Sequence, residues 1–173
     1  MTGIRLGVSA CLLGHEVRYD GGHKYDSWVV DTLGKYCDYI HLCPEHDCGM
    51  PIPREALNLK GSKDDYRMLT NKTAKDYTEQ MLSWSAPVIE SLKKEHLSCG
   101  FQRVKVYPLH GGAAGKTGVG IFARELLNAF PYLPVEEEGR LHDPVLRENF
   151  IERVFVTHSW NILVQEGLSP GSL

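Results

Sequence analysis

The chain has 173 residues, 42% of them apolar and 24% charged, enough for one good hydrophobic core and too apolar for wholesale disorder. A formal charge of -3, from 19 Lys and Arg against 22 Asp and Glu, gives no overall pull toward nucleic acid. The N-terminal stretch is broken by Arg5 and Gly7 and has no signal-peptide core, and no apolar run reaches the ~18 residues that span a bilayer. A soluble, cytoplasmic protein with no membrane partner is expected. Five cysteines, an odd number, then point to metal binding, catalysis or burial rather than to disulfides.

The alternation in IRLGVS at 4–9 predicts a strand, which leaves Cys11 in the loop behind it. A loop rich in Gly and Asp follows, then a helix near Ser27 to Tyr36 with Ser27 as its cap and Cys37, a small hydrophobe, at its end. A second strand is expected at Tyr39 to Leu42, stopped by Cys43-Pro44-Glu45, so that Cys43 also emerges at the carboxyl end of a strand. Residues 50–72, with Pro51, Pro53, Gly61 and many charges, read as a long irregular excursion able to act as a lid. Tyr77, Met81, Trp84, Val88 and Leu92 fall at helical spacing from Asp76 onward, with Pro87 as a kink.

RVKVY at 103–107 predicts a short strand, and PLHGGAAGKTG after it a glycine loop opening a helix near Val119 to Phe130. The loop resembles a phosphate-binding turn but has His110 where that motif requires glycine, so it does not support nucleotide hydrolysis. Asp143-Pro144 starts a further helix, with Asp as cap, Pro in the first turn and Leu146, Phe150, Ile151 and Val154 on one face; EGLSPGSL reads as a frayed end. Strands separated by helices imply an α/β fold with a mostly parallel, Rossmann-like sheet flanked by helices and a C-terminal helical extension. The expected division is an α/β domain over 1–141 and a helix with tail over 142–173. Ligands of such sheets bind outside the carboxyl ends of the strands, the edge to which Cys11 and Cys43 point.

Spacing alone does not separate an iron-sulfur site from zinc: Cys43, Cys48 and His41 or His46 form a Cys-x4-Cys pattern with nearby imidazoles within known zinc spacings. Sequence motifs add to this. SACLLG around Cys11, RYDGGHK at 18–24, CPE at 43–45 and PIPRE at 51–55 together resemble the bacterial thiouracil and 4-thiouridine desulfidase family, long catalogued as a domain of unknown function. TEQM at 78–81, SCG at 98–100, RVKVY and GVGIFARELLNAFPYLPVEEEGRL at 118–141 extend the resemblance over nearly the whole chain.

The resemblance implies a 4Fe-4S cluster held by Cys11, Cys43 and Cys99, with one iron left for a sulfur ligand, and a non-redox hydrolysis that replaces the thiocarbonyl sulfur of a thiolated pyrimidine by oxygen and releases sulfide. Glu45, two residues after Cys43, would shuttle protons to or from the attacking water. Ser98 would orient substrate or bond a cluster sulfur, or else close a local backbone hydrogen bond. Arg18 and Asp20 in the RYDGG turn and Arg54 in the PIPR turn would contact the pyrimidine or a phosphate, unless they are merely solvated turn charges.

The chain departs from the family pattern before RVKVY, where LKKEHLSCGF joins a helix almost directly to the strand and about a strand's length is absent. Two alignments follow: Cys99 is the third ligand, favoured by the surviving SCG triplet, or it is an ordinary cysteine at a helix end. Cys48, where the family often has glycine, is an incidental thiol or a substitute ligand. DPVLRENFIERVFVTHSW resembles the connector to a further helical domain that many relatives carry and that is missing here; if that domain helps hold tRNA, the chain would favour a free thiolated pyrimidine or nucleoside, or need help with a thiolated nucleoside in tRNA. The rival function is a zinc-binding or cluster-holding structural or sensing module without turnover.

Overall fold

The computed structural model describes residues 3–62, 65–94, 103–107 and 117–167 of the chain, with the backbone alone at 103–107 and 117–118. Two ladders organise it. Strand β1 (Ile4–Ser9) pairs in parallel with β2 (Cys37–Leu42), Ile4 opposite Cys37 and Ser9 opposite Leu42. The second ladder has the order β4-β3-β5-β6, formed by β3 (Leu57–Gly61), β4 (Tyr66–Thr70), β5 (Arg103–Tyr107) and β6 (Thr117–Val119). Its β3–β5 pair is parallel, and its β3–β4 and β5–β6 pairs are antiparallel.

The α/β class expected from the sequence is therefore present, but among the described residues the strand pairs divide evenly between parallel and antiparallel instead of forming one mostly parallel sheet. The reason lies in the short connections. Gly61 and Tyr66 are direct partners at a tight hairpin end, and a turn that short can only reverse the strand. Residues 50–72 are accordingly no irregular lid. Leu57 and Leu59, then Tyr66, Met68 and Thr70, alternate toward a core, a period-2 signal masked by the flanking prolines and charges.

Helix α1 (Pro44–Asp47) is a single turn, and α2 (Thr78–Lys94) buries Thr78, Met81, Ser85, Ile89 and Leu92 at three- and four-residue spacing. Pro87 lies inside α2 on its exposed side, so the Ser83 carbonyl that its missing N–H leaves without a helical partner is open to water. Helix α3 (Ile121–Ala129) packs on α2, with the Trp84 and Phe122 rings 5.2 Å apart between centroids. Helix α4 (Pro144–Gln165) begins as its sequence suggests: the Asp143 carboxylate accepts from Val145 N and Leu146 N, Pro144 occupies the first turn, and Phe150 and Val154 are buried. No helix among the described residues is long and apolar enough to cross a membrane.

The segment after Ser27 is helical but irregular, a wide turn over Trp28–Thr32 and a tight one over Leu33–Lys35. Ser27 does not cap it. Asp26, buried, takes that role by accepting from Val29 N at 3.0 Å. Cys37, expected at a helix end, instead opens β2 as the partner of Ile4.

Side chains collect in two clusters. One joins Ile4, Leu6, Val8, Leu12 and Val29 to Leu141, Phe150 and Val154; the other is built on β3, β4, α2 and α3 around Leu59, Met68, Met81 and Leu126. Strand alternation places β2 between them, with Tyr39 against the first and Ile40 and Leu42 against the second.

Candidate active site

Parallel pairing with Ser9 opposite Leu42 makes β1 and β2 end at the same edge, so Cys11 and Cys43 leave the sheet side by side. After β1 the chain makes one tight turn, Ala10–Leu13, ended by Gly14 at φ +93°, a left-handed conformation that glycine adopts without strain. The Cys11 carbonyl is held by the N–H groups of Gly14 at 3.3 Å and Lys24 at 2.9 Å, which fixes the backbone that carries the thiol. After β2, Pro44 opens α1; Asp47 accepts from Cys43 N at 2.8 Å and so folds the CPE segment back onto the strand end.

Cys11, Arg18, Cys43, Glu45 and Arg54 line one cavity of about 200 Å³. Cys43 is buried, and its Sγ lies 3.7 Å from the Val17 carbonyl, to which it donates, and 3.9 Å from Glu45 Oε2. Burial pushes the Cys43 thiol up to about 11 and raises that of Cys11 as well, so both are protonated at neutral pH until a metal displaces the proton. Arg54, its side chain only 8% exposed, donates through Nη1 to the Val17 carbonyl at 3.1 Å and sits 3.8 Å from Glu45 through Nη2. Its backbone N–H donates to the Tyr19 carbonyl at 2.8 Å, which ties the PIPR turn to the RYDGG turn.

That second turn closes through Gly21 N to Arg18 O at 3.0 Å, with Gly21 at φ +81°. Asp20 accepts from Gly22 N at 3.1 Å, which holds its carboxyl below the usual range, and lies 3.5 Å from Arg18 Nε. It stands behind Arg18 and does not line the cavity, so the structure brings five of the expected site residues together and leaves Asp20 outside them. Cys99 and Ser98 lie outside the described residues, as do the glycine loop over 108–116, most of the segment before Arg103 and the tail over 168–173.

The donor set suits a thiolate-ligated, negatively charged group. Two thiols share one cavity with two arginines, and Arg54 Nε is buried with no hydrogen-bond partner among the described residues, a donor free for an anionic occupant. The zinc pattern is not assembled: among the described residues no three His, Cys, Asp or Glu side chains are grouped to hold a metal ion. Cys48 packs in the core and donates to the Glu45 carbonyl at 3.3 Å.

Sequence reasoning passed over Ser9 and Asn58. Ser9 lines this cavity and a neighbouring apolar one, and Asn58 lines the neighbour. The signal was present in each case: Ser9 immediately precedes ACLLG, and Asn58 is the one amide in the otherwise apolar and basic strand LNLKG.

A family model described as 2-thiouracil desulfurase matches residues 6–138. A solved structure, that of the [4Fe-4S]-dependent thiouracil desulfidase TudS, superposes with a TM-score of 0.62 at 25% identity, covering 84% of this chain and 97% of that one. No curated protein matches. Cys11, Cys43, Glu45 and Arg54, which the structure gathers at one sheet edge, all fall within the matched span, and the chain belongs to the 2-thiouracil desulfurase family.

Proposed function

We propose that the chain is a [4Fe-4S]-dependent desulfidase that converts the thiocarbonyl of a thiolated pyrimidine to a carbonyl without net redox change. The observation that carries this is the meeting of Cys11, Cys43, Glu45 and Arg54 in one cavity at the carboxyl ends of β1 and β2. Family membership and the likeness to TudS, a [4Fe-4S]-dependent thiouracil desulfidase, support it. Cys11 and Cys43 would hold the cluster together with Cys99. When bound, the cluster supplies a Lewis-acidic iron that polarises the C=S bond and accepts its sulfur.

The chain's own groups do the remaining work. Water adds its oxygen to the ring carbon, sulfide departs, and the two protons of that water end on sulfide. The Glu45 carboxylate, 3.9 Å from Cys43 Sγ, is in reach of that water and takes and returns its proton at Oε2. Arg54 holds Glu45 from one side and offsets the negative charge of the thiolates, and Arg18, from the RYDGG turn, offsets that charge at Cys11. Asp20 acts as a positioning residue for Arg18. A reducing cytoplasm, where unpaired thiols persist, is the compartment this chemistry needs.

The test is anaerobic incubation of the reconstituted protein with 2-thiouracil and with 4-thiouridine. Sulfide and the oxygenated product in equal amounts are expected from at least one of them. A cluster-loaded protein that releases no sulfide from either would contradict the proposal and favour a module that holds a cluster without turnover.

A further inference from the structure

The turn that carries Cys43 is fastened at both ends. At its start Cys43 and Asp47 exchange two hydrogen bonds: Asp47 N donates to the Cys43 carbonyl at 2.8 Å, and Cys43 N donates to Asp47 Oδ2 at 2.8 Å. At its end Gln80 of α2 donates through Nε2 to the Cys48 carbonyl at 2.7 Å. Between them Met50 N and the Cys48 thiol both donate to the Glu45 carbonyl, at 3.1 and 3.3 Å. A helix of a single turn is too short to stabilise itself, so these bonds hold the backbone of Cys43 and Glu45 in place.

We infer that Asp47 is a positioning residue for the cluster: it holds the backbone of the ligand Cys43 and sets the charge around its sulfur, so that the cluster resists reduction and keeps its Lewis acidity. The inference rests on the cluster-dependent reading above and adds a residue that does not line the cysteine cavity.

Three observations support it. The first is the hydrogen bonding of the ligand. Amide N–H groups directed at cluster sulfurs favour the more negative, reduced state. The Asp47 carboxylate withholds the N–H of Cys43 from that role, and the N–H that reaches the Cys43 sulfur is that of His46. The second is charge. Burial does most to raise the Cys43 thiol, the His46 N–H and Arg54 lower it, and the Glu45 and Asp47 carboxylates raise it further, so the charge of Asp47 is felt at the sulfur and opposes that of Arg54. The same charge disfavours an added electron on the cluster. The third is placement. Asp47 is exposed and outside the cavity, so it acts on the ligand without taking the space a substrate needs. Exchange of sulfur for oxygen moves no electrons, and a reduced cluster would only be a weaker Lewis acid for it.

Reductive titration followed by electron paramagnetic resonance, with iron retention against a chelator, tests this in the anaerobically reconstituted wild type and in Asp47→Asn, Asp47→Ala and Asp143→Ala. Asp47→Asn keeps an oxygen acceptor for Cys43 N and loses the charge; it is expected to retain iron as the wild type does and to be reduced at a more positive potential. Asp47→Ala loses both, and is expected to be reduced at a more positive potential and to give up half its iron at about tenfold less chelator. Asp143→Ala, which removes the cap of α4, is the control for lost stability and is expected to leave the potential where it is. Should Asp47→Ala fail to fold, Asp47→Asn still decides. An unchanged potential in Asp47→Asn overturns the inference, as does undiminished iron retention in Asp47→Ala. Sulfide release from a thiolated pyrimidine by the wild type, with the potential unchanged in Asp47→Asn, would sink the role of Asp47 and leave the desulfidase proposal standing. A shifted potential in Asp47→Asn, with no sulfide released by the wild type, would do the reverse.

Discussion

The cluster on β1 and α4 is filled by Ile4, Leu6, Val8, Val29, Leu141 and Val154 around a single Phe150, whereas the cluster on β3, β4, α2 and α3 contains Met50, Met68 and Met81 with Tyr66, Tyr77 and Phe122. Branched aliphatic side chains with few rotamers suit the first, which must hold the end of β1 and hence Cys11 in place. Methionine, flexible and polarisable, suits the second, where Met68 and Met81 border a cavity and fill irregular space. The contrast suggests a division of labour, with one cluster presenting cysteines and the other shaping a pocket, and β2 shared between them.

Substitutions at the centre of each cluster should separate these roles. Phe150→Ala, at a side chain 1% exposed, is expected to cost about 3–5 kcal/mol of stability and to lower iron loading by loosening β1. Leu126→Ala, equally buried, is expected to cost about 2–5 kcal/mol and to leave iron loading near wild type. Urea unfolding and iron content on both variants check the pair. Equal loss of iron in the two would erase the distinction.

A smaller effect is expected at the first turn of α4. Asp143→Ala removes the acceptor for Val145 N at 2.9 Å and Leu146 N at 3.2 Å and should cost ~1 kcal/mol, measurable by urea unfolding. The smallest is at Cys37, whose thiol burial raises to about 11, with Asp38 adding to the shift. A raised thiol contributes its stability in full below its unfolded value of about 9 and loses that contribution as pH rises to about 11. Below that window Cys37 should react with iodoacetamide on the order of a hundredfold more slowly than an exposed thiol at pH 8, a difference that denaturation removes. Labelling followed by peptide mapping would show it, and fast labelling of the native protein would contradict the assigned burial.

Much of the site was legible in the sequence because it follows strand ends. IRLGVS alternates cleanly and CPE stops a ladder, so the placement of Cys11 and Cys43 needed only periodicity and a proline. The convergence of Glu45 and Arg54 came from motif resemblance, since no local rule brings residues of two separate turns together. The β3–β4 hairpin was hidden because prolines and charges around short alternating runs mimic a loop, and the expectation of a mostly parallel sheet followed from that omission. Asp26 displaced Ser27 as a cap because the turn begins with an irregular helical segment, a choice made by local geometry that residue preference does not encode. The apolar cavity beside the cysteines is formed by residues from β1 to α3, and such a long-range cavity leaves no trace in any one window of sequence.

The most direct test of the central claim is the iron and acid-labile sulfide content after anaerobic reconstitution, in the wild type and in Cys11→Ala, Cys43→Ala, Cys99→Ala and Cys48→Ala. The expected result is about four of each per wild-type chain, lost in the first three variants and retained in Cys48→Ala. A full cluster in Cys11→Ala or Cys43→Ala, or a wild-type protein that takes up zinc and no sulfide, would contradict it.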